Sequence, residues 1–130
     1  VNILVFIYLQ FQAVARLGNY ASAIKDKSEA DLPATDAVVL DLTKESGKKM
    51  QQAKTRNTKA VPALTIALAQ DATALTYVYG GMTKEWPDGL ASKIMKDLNK
   101  KYVPDNQTAK TEMKLKLMNI KMKKGENPAL

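Results

Sequence analysis

Leu90, Ile94, Leu98 and Tyr102 recur at four-residue steps, while Lys93, Lys96, Lys100 and Lys101 fall mostly elsewhere. That one-sided spacing predicts an amphipathic helix. Pro87 and Asp88 mark its start, and residues 103–106 stop it and form a short linker. Near the other end, Ile3 to Leu9 is an unbroken apolar run. Residues 3–17 read as a buried helix or a buried strand: β-branched residues weigh toward the strand, but length favours a helix, stopped by Gly18-Asn19, with a short helical turn from Tyr20 to Ile24. Residues 25–41 read as a surface loop, tied to the core by Val38-Val39-Leu40. Thr43 and Ser46 are the candidate N-caps of a helix through "KKMQQAKTRNTKAV", with Met50, Ala53 and Ala60 turned inward. Pro62 lacks a backbone donor, so that helix is expected to kink or break just before it, and "ALTIALA" to continue as a buried helical piece. Asp71 is the expected N-cap of "ATALTYVYG", which Gly80-Gly81 ends. The expected fold class is therefore all-α.

The closing helix has a different pattern. Thr108 or Thr111 opens it, and it runs to about Lys124 with Gly125 as its cap. Advancing about 100° per residue from Met113 puts Leu117 and Ile120 beside Met113 on one face. Leu115, Met118 and Met122 gather on the opposite face. Lys114 and Lys121 line one flank, Lys116 and Lys123 the other. A helix with two apolar faces has to be sandwiched. One face buries against its own chain and the other wants a partner, so Leu115, Met118 and Met122 are the candidate oligomer interface. Met side chains suit an adaptable contact.

Charge sharpens this picture. The chain has 130 residues and a net charge of +7. Residues 93–124 hold ten lysines against three acids, and the remainder balances ten basic residues against ten acidic ones. Such a segment reads either as a solvated helix flank with no ligand or as a contact for an acidic partner such as RNA, held through its phosphates. Lys114, Lys116, Lys121, Lys123 and Lys124 are the candidate contacts. No aromatic residue is interleaved among them, so base stacking is not expected. Trp86 is the only tryptophan and, with Leu90, Ile94, Leu98 and Tyr102, is read as a core anchor.

Chemistry is scarce. There is no cysteine and no histidine, which removes thiolate and imidazole catalysis and the usual transition-metal ligands. "LTKESGKKM" has Leu42 where a phosphate-binding loop needs Gly, and Lys49 where it needs Ser or Thr. Asp36 with Asp41, and Glu29 with Asp31, sit in polar sequence with nothing to separate their pKa values. The expectation is a non-enzyme with no catalytic residues, no cofactor, no metal and no small-molecule substrate. The N-terminal apolar run falls short of the roughly 20 residues of a membrane span. Ala13-Val14-Ala15 mimics a signal-peptidase site, but no basic segment precedes it. A soluble, intracellular chain without membrane association is expected.

"KEWPDGLASKIMKDLNKKYVPDNQTAKTEMKLKLMNIKMKKGENPAL" resembles the Gag polyprotein of copia-type LTR retrotransposons. Trp86, Leu90, Leu98 and Tyr102 fit the first half of that family's pattern. Leu115, Leu117, Met122, Lys123, Lys124, Gly125, Glu126 and Pro128 fit the second. "FQAVARLGNYASAI" and "AKTRNTKAVPALTIAL" also look like matching parts. The resemblance implies an all-helical capsid-like protein that self-assembles into a cytoplasmic virus-like particle around the element's RNA. Residues 1–103 would be an N-terminal capsid-like lobe. Residues 104–130 would be a linker and the start of a C-terminal lobe continuing past Leu130. Two departures stand out: a Trp expected near the start is absent, and Pro62 falls where helix should continue.

Overall fold

The N-terminal apolar run folds as a continuous helical rod in three pieces: α1 (Ile3–Val5), a π-helical turn (Phe6–Gln10) and α2 (Phe11–Leu17). The computed structural model describes residues 3–25, 27–103 and 107–125, with the backbone alone at residues 4, 8 and 120–125. A π turn is one residue wider than an α turn. Here the side-chain amide of Gln12 donates to the Ile7 carbonyl at 3.1 Å. The rod buries Ile3, Phe6, Ile7, Phe11 and Ala15. Phe11 stands between Phe6 and Tyr20, with ring centroids 5.0 and 6.1 Å away.

The stop after Leu17 is a Schellman turn: Asn19 N–H donates to Arg16 O and Tyr20 N–H to Ala15 O. Asn19, not Gly18, takes the left-handed conformation, with φ 60°. Gly18 is needed for space instead, since a Cβ there would lie 2.4 Å from the Tyr20 ring. A 3-10 turn, Ala21–Ile24, follows and wedges between α2, α3 (Glu45–Ala67) and α5 (Ala91–Tyr102).

The long loop is fastened differently from the sequence expectation. Val38 is exposed and Val39 is 95% exposed, so neither anchors it. The ties are polar. Glu29 grips Arg56 of α3, with Nη2 2.7 Å and Nε 2.9 Å from Oε1. Asp36 N–H donates to Glu85 O, and Lys54 Nζ donates to Asp36 O at 3.0 Å. Hydrogen bonding explains the departure: a loop with few large apolar residues is held through its backbone.

Neither Thr43 nor Ser46 caps α3. The N-cap is Lys44, without a side-chain cap bond. The Thr43 amide and hydroxyl both donate to Asp41 Oδ1 instead, closing a local turn. That turn lays the Asp41 carbonyl against the buried Gly47, in the first turn of α3.

α3 continues as one helix through Pro62, so the expected break does not occur there. Pro62 is exposed and has no N–H to offer the carbonyl one turn back. Burial of Ala60, Val61 and Leu64 around it offsets the lost bond. α4 (Ala72–Gly80) starts where Asp71 accepts from Ala74 N–H at 3.0 Å. It ends at Gly81, which has an ordinary φ of −78° and lies so close to Ile94 that a Cβ would be 2.4 Å from it.

Pro87 and Asp88 do not start α5. They form a turn, Gly89 adopts φ 107°, and the helix opens at Ala91. Its cap comes from across the fold. Asn57 of α3 accepts from Ala91 N–H at 2.8 Å and donates to Gly89 O at 3.0 Å. The core between these elements is filled by Phe11, Leu64, Leu68, Val78, Ile94, Met95 and Leu98. The fold is all-α, with no strand among the described residues. Among them, no helix is long and apolar enough to cross a membrane.

Candidate functional site

α6 (Gln107–Gly125) carries the residues that the sequence singled out. Thr111 lies inside it and donates back to Gln107 O, so it is not a cap. Thr108 is also helical. Among the described residues, the closest helix packing runs through α3, α4, α5 and the 3-10 turn. Leu117 is buried and Met113 half-buried, which defines the inner side.

On the other side, Leu115 is 55% exposed and Met118 56% exposed. Four residues of the same group have side chains outside the description: Met122, Lys121, Lys123 and Lys124. Lys114 and Lys116 are both exposed. The described part of α6 therefore presents Leu115 and Met118 to solvent with ammonium groups nearby.

The five anchor residues divide by depth. Trp86, Ile94 and Leu98 are buried, and Leu90 and Tyr102 are half-buried. Ile94 and Leu98 belong to the main cluster, with Tyr102 packed against it. Tyr102 meets Tyr77 edge-on at 6.5 Å. Burial is the main reason its phenol is pushed above its ordinary pKa, with Asp71 and Tyr77 adding to it. Trp86 sits apart, on a cavity of about 330 Å³ lined also by Asn57, Val61, Pro62 and Gly89.

Hydrogen bonds from the Thr43 hydroxyl and amide hold the Asp41 carboxyl below its ordinary pKa, the wrong direction for a proton donor at neutral pH. Asp36 is 3.4 Å from Lys54 Nζ. Among the described residues, no group of three or more acidic side chains is placed to hold a metal ion.

Two features escaped the sequence reading. One is the Asn57 cap, whose partners are 32 and 34 residues away. The other is a basic cleft that joins Lys27 to Lys93 and Lys96. No local pattern signals either one. Comparison with family models, with curated proteins and with solved structures returned no match.

Proposed function

We propose that this chain is a structural, capsid-like protein of the copia-type Gag kind, which self-associates through α6 and packages RNA. The observation that carries the reading is the solvent-facing pair Leu115 and Met118, on the side of α6 opposite the buried Leu117. Apolar surface left in water favours association in proportion to its area. The all-α fold agrees with the resemblance carried by Trp86, Leu90, Leu98 and Tyr102. On this reading residues 1–103 act as the N-terminal lobe. Residues 104–130 lead into a second lobe, and the particle is cytoplasmic.

Sedimentation velocity over a range of concentrations tests this. The wild-type chain should associate. Leu115→Glu with Met118→Glu removes two half-exposed contacts worth about 1 kcal/mol each, weakening association by about 30-fold. A wild-type chain that stays monomeric at high concentration defeats the proposal.

A second reading, a small basic helical module that binds nucleic acid without assembling, is favoured by the exposure of Lys114 and Lys116. In that case Lys114→Glu with Lys116→Glu abolishes RNA binding, and the Leu115 and Met118 substitutions leave it unchanged.

A further inference from the structure

Lys27 and Ser28 belong to the long loop, and Ser92, Lys93 and Lys96 to α5. Folding brings them to one cleft of about 560 Å³, which Asp97 also lines. That volume lies within the usual range for ligand sites, about 300–1,000 Å³. Ser28 Oγ and Ser92 Oγ are 2.9 Å apart, and this bond pins the loop to the helix.

Lys93 is spent on Asp97, with Nζ 2.9 Å from Oδ2. Lys27 and Lys96 are exposed, and neither has a carboxylate partner among the described residues. Cations converging on one cleft repel each other, so folding alone does not favour the arrangement, whereas a bound anion offsets it. The serine pair adds a donor. Each hydroxyl has one hydrogen, and their mutual bond uses only one of the two. The second is available to an oxyanion.

From these observations we infer that the cleft between Lys27 and Lys96 binds phosphate, and that its occupant is the backbone of single-stranded RNA. Lys100 is exposed one turn beyond Lys96 on α5, so the cations continue out of the cleft as a row. A row suits a strand with repeated phosphates better than a compact anion. Among the described residues no aromatic lines the cleft, so contact is with the backbone and independent of sequence. The inference rests on the RNA-packaging part of the proposed function. It places the contact on the helical body, where the assembly reading does not need it.

The test uses the full chain and a fluorescein-labelled oligouridylate, with anisotropy read over a range of salt concentrations. Lys27→Glu with Lys96→Glu should lower affinity about tenfold or more at low salt. It should also reduce the salt slope by about 1.4, the share of two phosphate contacts on a single strand. Lys27→Arg with Lys96→Arg should keep both values. All four substitutions are at exposed positions, so the fold should tolerate them. Unchanged affinity and slope in the Glu variant overturn the inference. Calorimetry with sodium tripolyphosphate separates the two sources of phosphate. If the Glu variant loses tripolyphosphate binding but keeps RNA affinity, the strand is overturned as occupant. Loss of RNA binding only on substituting Lys114 and Lys116 also overturns the cleft, leaving the α6 contacts standing. Association measured on the Leu115 and Met118 variant reports on assembly separately.

Discussion

Asn57→Ala should destabilise the fold by about 3 kcal/mol in urea or guanidinium denaturation, the largest loss expected from any single polar residue. Asn57 is 5% exposed and makes one bond in each direction, to Gly89 O and from Ala91 N–H. Truncation strands both backbone groups where water has little access, at about 1–3 kcal/mol each. It also strips α5 of its cap, since the formal N-cap residue, Leu90, has no side-chain acceptor. Asn57→Asp separates the two halves of the interaction. The carboxylate still accepts from Ala91 but faces the Gly89 carbonyl without a donor, so it should restore only part of the stability that Asn57→Ala loses. If Asn57→Ala unfolds with wild-type stability, the cross-fold cap contributes nothing and the opening of α5 must be held by packing alone.

Gly47→Ala should reverse the usual helix rule. Replacing Gly by Ala inside a helix normally stabilises by about 1 kcal/mol. At Gly47 an added Cβ would sit 1.9 Å from the Asp41 carbonyl oxygen and 2.6 Å from its carbon. Both are backbone atoms, so no side-chain rotation relieves the clash. The turn made by Asp41 and Thr43 has to lift away, and the expected loss is about 3 kcal/mol, the upper end for overpacking. Gly80→Ala is the control. Nothing lies within 4 Å of its added Cβ, and it should stabilise by about 0.5 kcal/mol. Thermal unfolding of the two variants should therefore shift in opposite directions. Shifts of the same sign would mean that the Asp41 turn yields freely.

Much of the helical content was legible because its signals are local. Leu90, Ile94, Leu98 and Tyr102 mark one stripe, and Asp71 stands directly before the helix it caps. The misreadings share a cause: a local rule met a distant contact. Pro62 reads as a kink or a break, but the helix continues through it, with buried neighbours on its inner side. Thr43 reads as a cap, yet Asp41 is nearer and takes both of its donors. Pro87 and Asp88 read as a helix start, but the start is placed by Asn57, far upstream. Val38-Val39-Leu40 reads as an anchor because it is apolar, but Val38 and Val39 are exposed and only Leu40 is half-buried, while Glu29 and Asp36 tie the loop. The exposure of Leu115 and Met118 followed from counting angles around one helix. The cleft of Lys27 and Lys96 could not be reached that way, because its two sides meet only after folding.

Trp86 gives the molecule a built-in optical label. It is the only indole in the chain, it is buried, and it borders the cavity shared with Asn57 and Gly89. Its emission should move to longer wavelength as the α3–α5 junction opens. Self-association along α6 should leave its colour unchanged, so one fluorophore can tell loosening of the body from gathering of copies.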